Sequence, residues 1–419
     1  MRIGSFVTRK KQMTTKFLMT SAVAVILLLP VSYSQELSTV GGFLTDYEAA
    51  WEKTIDYSPR YAFAGKDYFG TFVKNQADSF YHHYSNEGML LWSSEALGYA
   101  PEWAIISESG NRVLLGRETS RDTDHRYFVS EVYDQDGNHL FSCPFHRVFY
   151  SSPNGLYFYS KWSYDGLTAL TVLDGNGKVL PAGKMSCWDV RPIDDSLLVY
   201  NTSRKVVILN VHTGAVEKEV EIEAATGLEK HYFHLDRSGS QEYIALLGDF
   251  QLYVLNRNLE NVWNYQGEAY LTQVSFLPQK PIVAFVEKFF PKMTAGEYVG
   301  EYRVVATFAT LQSDALYQAE IRLPSPEKVG GAEEAREENQ IGTSFCDRFF
   351  IYRFFSRQFL DSGKNRIYSG RSLVVRLLPD LSGIESQAVM ESRLYHVRVN
   401  NFLEIGDNNI RMWMLKGGE

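Results

Sequence analysis

The sequence predicts an all-β fold, a β-propeller of four-stranded antiparallel blades. Three observations predict it. An outer hairpin recurs along the chain, short strands of period two lie between the hairpins, and the C-terminus stops one strand short of a complete blade. The 419 residues are 45% hydrophobic and 22% charged, which excludes global disorder and leaves room for one large repetitive domain or two or three ordinary ones.

The first stretch is read as an export signal rather than as part of the fold. Arg2, Arg9, Lys10, Lys11 and Lys16 give a basic start, and Phe17 to Pro30 is a short apolar run. Small residues flank a cut after Ser34, the layout of a secretory signal peptide. The alternative, an uncleaved anchor, is opposed by the shortness of the run against the roughly 20 residues that span a bilayer. No cysteine lies near the cut, which argues against a lipoprotein anchor. Losing residues 1–34 removes those five basic residues and no acidic ones, so the net charge moves from −8 to −13. Such a diffuse negative charge argues against nucleic acid and anionic membrane surfaces as partners.

The recurring hairpin is a strand, a tight turn and a second strand. It runs through Tyr84 to Trp92, Val132 to Phe141, Val172 to Leu180, Leu209 to Val216 and Leu255 to Trp263. A weaker sixth centres on Gln312-Ser313-Asp314, and a seventh is Leu378 to Ile384. A short hairpin needs a residue at positive φ, which Gly, Asn or Asp supplies at little steric cost. Spacings of 49, 40, 37 and 45 residues from Gly88 through Gly137, Gly177 and Gly214 to Leu259 fit a four-stranded blade with variable loops.

The halves between hairpins also read as short strands: Trp103 to Ile106, Arg112 to Leu115, Leu156 to Tyr159, Ser196 to Tyr200, Lys205 to Leu209, Tyr243 to Leu247 and Gln251 to Leu255. Leu247 to Leu255 resembles Ile405 to Met414, which makes the latter the middle hairpin of an eighth unit lacking its outer strand. Leu37 to Leu44 is the segment expected to supply that strand and close the ring. Eight blades are favoured, with seven the alternative. The division is 1–34 signal peptide, 35–59 closing strand and linker, 60–415 propeller and 416–419 tail.

Three regions break the rhythm. Tyr47 to Tyr61 is read as a short helix or a cover over one end. Phe289 to Glu301 interrupts the sixth unit, and the acidic Pro324 to Gln340 is read as an exposed loop with one helical turn.

No residue is assigned a catalytic, cofactor-binding or metal-binding role. Asp134, Asp136 and Asn138 alternate like calcium ligands, but the twelve-residue spacing and terminal Glu are missing, so an Asx-rich turn is favoured. Asp174, Asn176 and Gly177 repeat that turn. The pairs His82/His83 and His231/His234 diverge on their strands and read as packed or exposed histidines. Cys143, Cys187 and Cys346 are too few for a disulfide scaffold and match no zinc spacing; buried small side chains are the favoured reading, and one pair bridging is the other. Metalloprotease, phosphate-loop and nucleophile-elbow motifs are missing. Asp56, Glu102, Asp189, Asp194, Asp195 and Asp236 are scattered, but a propeller assembles its sites from different blades, so local motifs are not required. The aromatics, Trp92, Phe141 and Trp263 among them, are expected to fill the gaps between wedge-shaped blades.

The hairpin pattern, with Tyr84 to Trp92 its clearest copy, resembles the outer hairpin of pyrroloquinoline-quinone-type propeller repeats and, less specifically, of WD-repeat propellers. Leu209 to Val216 keeps the Thr213-Gly214 turn without the closing Trp. The resemblance implies either a quinone-dependent dehydrogenase or a non-catalytic secreted scaffold. The dehydrogenases carry a vicinal disulfide, and no two cysteines are adjacent here, so the scaffold branch fits better. The expectation is a secreted or periplasmic, monomeric scaffold that binds a protein or other extracellular ligand without a cofactor. The alternative is a propeller hydrolase or lyase acting on polysaccharide through carboxylates at the axial cleft, and a third is a structural role at the outer surface.

Overall fold

A computed structural model describes residues 40–54, 59–64, 67–75, 78–98, 100–121, 126–143, 148–160, 169–180, 185–228, 233–237, 242–277, 280–290, 292–294, 297–299, 302–313, 315–323, 328–329, 332–333, 336–346, 348–360, 365–390, 392–398, 401–406 and 409–416. Residues 1–34, where an export signal was expected, and Leu37 to Thr39 lie outside these residues. Among them are eight four-stranded antiparallel sheets. Blades 1 to 7 span 59–93, 103–142, 150–186, 189–221, 234–266, 270–323 and 336–390 in chain order. Blade 8 takes three strands from 393–415 and its outermost, Tyr47–Thr54, from the N-terminal end.

The first strand of each blade is innermost. First strands of neighbouring blades touch around the ring, as Asp189–Pro192 touches His234–Arg237 and Arg336–Cys346 touches Arg393–Arg398. Fourth strands face solvent: Val216–Glu221 is exposed at five of its six positions. The core is a set of apolar layers between blades. Val190, Leu198 and Leu209 of blade 4 pack with Tyr157, Leu170 and Val172 of blade 3, and Ile193, Val206 and Ile208 pack on the other side with Phe233, Leu235 and Leu246 of blade 5. Strand alternation produces this, because successive side chains point into the layers on either side of their sheet.

The hairpin glycines serve packing as well as turn geometry. Gly88, Gly137 and Gly177 have φ of 80°, 83° and 81°. A Cβ at these positions would lie 2.9 Å from Trp51, 2.7 Å from Trp92 and 2.6 Å from Phe141, each an aromatic side chain of the preceding blade. Trp51 and Trp92 also donate their indole N–H to the turn carbonyls of Asn86 and Gln135. The aromatic of one outer strand therefore docks on the hairpin of the next blade. Trp263 likewise leans on Phe285 of blade 6, with ring centroids 6.1 Å apart.

The N-terminal expectation is corrected. Val40–Phe43 is a short helix, and Tyr47–Thr54 is the strand that closes the ring, where a helix or cover was expected. It pairs antiparallel with Asn409–Leu415, with a register shift between Ala49 and Trp51. The helix sits close to blade 8: a Cβ on Gly41 would lie 2.9 Å from the Trp413 ring. The acidic segment is corrected too. Its described residues form a two-residue hairpin, Lys328–Val329 with Ala332–Glu333, and Arg336–Cys346 is already blade 7, without a helical turn. Pairing with Phe349–Leu360 draws those residues into the sheet. The interruption in unit six is a second small hairpin, Lys292–Thr294 with Glu297–Val299, inserted between the second and third strands of blade 6.

Candidate functional site

A meander has two kinds of end. First-to-second and third-to-fourth connections lie on one face of the ring, the turn face. Second-to-third and blade-to-blade connections lie on the other, the loop face. At the turn-face end of the axis, the inner strands of blades 2 to 5 enclose a cavity of about 320 Å³. Ile105, Ile106, Ser151 and Pro192 form part of its wall, and Glu108, Tyr150, Tyr159, Arg191, Asp236 and Arg237 bring polar groups to it.

The innermost strand of blade 4, Asp189–Pro192, places Asp189 and Arg191 on one face and buries Val190 in the layer behind. Asp189 is fully buried. Its Oδ1 accepts from the Val190 N–H at 2.8 Å and from Arg191 Nη1 at 3.0 Å, and its Oδ2 accepts from the Leu235 N–H of blade 5 at 3.0 Å. Asn201 completes the clamp. Its Oδ1 accepts from the Asp189 N–H, and its amide donates to the Phe233 carbonyl. Asp189 therefore joins two blades and neutralises an arginine at once.

Asp236 is used differently. Among the described residues its Oδ1 accepts only from the adjacent Arg237 N–H, at 2.7 Å. The protein surrounds it on all sides but the lumen, and burial pushes its carboxyl from the ordinary 3.8 up to about 6, against the pull of Arg191. Between those two values the folded chain keeps a proton that the unfolded chain has released. Stability therefore falls as pH rises through that window and stays lower above it. Asp236→Asn is expected to stabilise the fold at neutral pH by on the order of 2–3 kcal/mol and to flatten the pH profile between about 4 and 6. Urea denaturation of both proteins across that range reads the effect; superimposable profiles would show that Asp236 is not held in its protonated form.

Arg237 reaches across the axis to Glu108 of blade 2 in an ion pair. Glu108 is well exposed at the mouth, and the Arg237 side chain is nearly buried. Tyr150 and Tyr159 stack with ring centroids 5.7 Å apart and 24° between planes.

The sequence-derived candidates separate clearly. Asp189 and Asp236 are brought to adjacent inner strands. Asp194 caps its own turn by accepting from the Ser196 and Leu197 N–H groups. Asp195 ties blade 4 to blade 3 by accepting from Ser152 Oγ, the Asn154 N–H and the Asn154 amide. Glu102 lies on the connection into blade 2, and Asp56 is outside the described residues. Asp134 accepts from the Asp136 and Asn138 N–H groups, and Asp174 from those of Asn176 and Lys178, which are Asx turns. His83 is buried against Tyr81 Oη, and His82 meets Tyr84 Oη. His231 is outside the described residues. Cys143 and Cys187 are buried, and neither forms a disulfide among the described residues. The side chain of Cys346 lies outside the description. Arg191, Arg237, Glu108 and the two tyrosines were missed. Their one sequence signal is the pairing of Trp188-Asp189-Val190-Arg191 with His234-Leu235-Asp236-Arg237 at the start of consecutive blades.

The loop face carries the other concentration of features. Trp188, Phe250, Tyr270 and Phe290 are 46%, 47%, 42% and 61% exposed on blades 4 to 6. Trp188 meets His234 at a centroid distance of 6.4 Å, and Phe250 meets Tyr270 edge-on at 6.1 Å. The two small hairpins and the long hairpin of Phe349–Leu360 with Asn365–Leu377 project from the same face over blades 6 and 7. No helix among the described residues is long and apolar enough to cross a membrane.

No family model matches the chain, and no curated protein is similar to it in sequence. Solved structures are similar in fold. The C-terminal WD40 domain of Sif2 aligns with a TM-score of 0.55 at 10% identity, over 88% of this chain and 100% of that one. Hsv2 of Kluyveromyces lactis, with its complete loop 6CD, aligns with a TM-score of 0.50 at 8% identity, over 79% of this chain and 99% of that one. In fold, the chain is similar to WD40-type β-propellers.

Proposed function

We propose that this chain is an exported, non-catalytic β-propeller that binds a protein partner through the loop face of blades 4 to 6. One observation carries the reading: four large aromatic side chains stand exposed on that one face. Exposed aromatics in a group are the surface signature of a protein-binding site. The exposed apolar residues elsewhere, Met89, Leu90 and Leu91 in the outer hairpin of blade 1 and single positions such as Leu140, Val179, Val216 and Val262 on other blades, are all aliphatic. The fold shared with WD40 propellers supports a scaffold role. The basic and apolar layout of residues 1–34 supports export, and the docking of Trp51 and Trp92 on hairpin glycines supports the quinone-type repeat without its cofactor.

The polysaccharide hydrolase reading draws less support. Glycosidic hydrolysis uses two carboxyl groups in distinct roles. Among the described residues at the axial cavity, Asp189 is taken up by two backbone N–H groups and Arg191, and Glu108 by Arg237, which leaves Asp236. The binding reading is tested with a photo-crosslinking residue placed at Phe250 and, as a control, at Val179 in the native cells. A discrete protein adduct in the exported fraction from position 250 alone is the expected result. Adducts at 179 only, or none at 250, would refute the loop-face reading.

A further inference from the structure

The axial cavity contains a carboxyl group that the fold does not use. Both oxygens of Asp189 are engaged, one across the blade boundary. Asp236 Oδ2 accepts no hydrogen bond among the described residues, and its Oδ1 takes only the neighbouring N–H. Burial disfavours its charge, so the fold keeps this group at a cost to its own stability. Such a residue in a cavity marks a site where a ligand is held.

The surrounding donors are also incompletely used. Arg191 commits Nη1 to Asp189 and to the Val190 carbonyl; its Nε and Nη2 donate to no described residue, and its side chain is 36% exposed. Arg191 and Asp236 line the same cavity without forming a direct ion pair. Tyr159 is 4% exposed, lines the cavity, and its hydroxyl makes no hydrogen bond among the described residues.

Charge decides what fits between these groups. Two guanidinium groups meet three carboxyl groups, and the pairs Arg191–Asp189 and Arg237–Glu108 are already made. An anion finds no surplus positive charge here and meets Asp236. A cation finds Asp236 but lies beside two guanidinium groups. A neutral ligand with adjacent hydroxyls satisfies every open group. One hydroxyl accepts from Arg191 and donates to Asp236, and the Tyr159 hydroxyl serves as donor or acceptor to a second. Ile105, Ile106 and Pro192 offer apolar wall to a ring's C–H face. About 320 Å³ is at the small end of ligand pockets, enough for one or two sugar rings.

We propose that the axial cavity binds a neutral sugar residue, held between Arg191 and Asp236 with Tyr159 as the third polar contact. The Glu108–Arg237 pair crosses the mouth, so the ligand enters by displacing it. This site lies at the turn-face end of the axis, away from the loop-face aromatics, and its fate is independent of the protein-docking reading.

The test uses residues 35–419 with saturation-transfer NMR and calorimetry against glucose, galactose, mannose, their β-linked disaccharides, glucuronate and glucosamine. At least one neutral sugar is expected to bind, with glucuronate and glucosamine about tenfold weaker or worse. Tyr159→Phe and Asp236→Asn are each expected to weaken that binding about tenfold, roughly the effect of one lost hydrogen bond to a ligand. Thermal melts confirm that both variants are folded. The proposal is overturned if no neutral sugar binds below about 10 mM. It is equally overturned if glucuronate binds more tightly than its parent hexose, or if both variants bind like the parent chain.

Discussion

A chain shortened to begin at residue 55 is expected to lose most of its stability, although it retains seven complete blades. Leu44 and Tyr47 are 1% and 5% exposed, packed with Phe349, Phe402 and Trp413 between blades 7 and 8. Burying two such side chains is worth about 1.5–3 kcal/mol each. Trp51 adds its stack on Phe69, its contact with Gly88 and its hydrogen bond to the Asn86 carbonyl, all in blade 1. Asp46 meets Arg348 and Arg376, and Glu52 meets Arg411, so each turn of the strand is tied to the C-terminal half. The loss of about 5 kcal/mol or more compares with a total stability of about 5–15 kcal/mol for a typical domain. Asn409–Leu415 would also become an open edge prone to pair with another chain. The melting temperature should drop by roughly 10 °C or more, with oligomers visible on gel filtration, and a peptide of residues 40–54 added in trans should restore much of the loss. A shortened chain that melts within about 3 °C of the parent would mean that this strand is not what closes the ring.

The same strand shows why part of the fold was hidden in the sequence. Tyr47–Thr54 reads YEAAWEKT, rich in helix formers, and its register shift between Ala49 and Trp51 breaks the period-two pattern. Its conformation comes from the open edge of blade 8, a partner more than 350 residues away (Glu52 meets Arg411), and local propensity yields to it. The outer hairpins were legible for the opposite reason. A turn at positive φ needs Gly, Asn or Asp at a fixed place whatever surrounds it, so each blade left a mark. Even there, half the reason for the glycine was invisible, because the aromatic that docks on it comes from the preceding blade. The axial cavity was harder still. Asp189 and Asp236 are 47 positions apart and meet on the inner strands of neighbouring blades, and Glu108 and Arg237 are 129 apart and meet across three blades. Residue type did not distinguish Asp189 from Asp236, and what separates them is the set of donors each one meets.

That difference gives the second large effect. Asp189→Ala removes the acceptor of the Leu235 N–H and leaves Arg191 without its partner inside the wall. An unsatisfied buried N–H costs about 1–3 kcal/mol and a broken buried ion pair about 3–5 kcal/mol; because the arginine is partly open to the lumen, a total of about 3–5 kcal/mol is expected. Asp189→Asn keeps an acceptor oxygen for Leu235 and should lose about half as much. The sharper consequence concerns Asp236. In the parent chain Asp189 holds Arg191, and Asp236 is a half-buried acid that destabilises the fold once ionised. With Asp189 gone and Glu108 held by Arg237, Asp236 is the carboxylate left at the cavity for Arg191. Asp236→Asn should then change sign, stabilising the parent at neutral pH and destabilising the Asp189→Ala background. The destabilisation between about pH 4 and 6 should disappear from that background too, because an Asp236 paired with Arg191 ionises at lower pH. Urea denaturation of the parent, the two single variants and the double variant closes the cycle. An Asp236→Asn effect of the same sign and size in both backgrounds would show that the two carboxyl groups do not compete for Arg191.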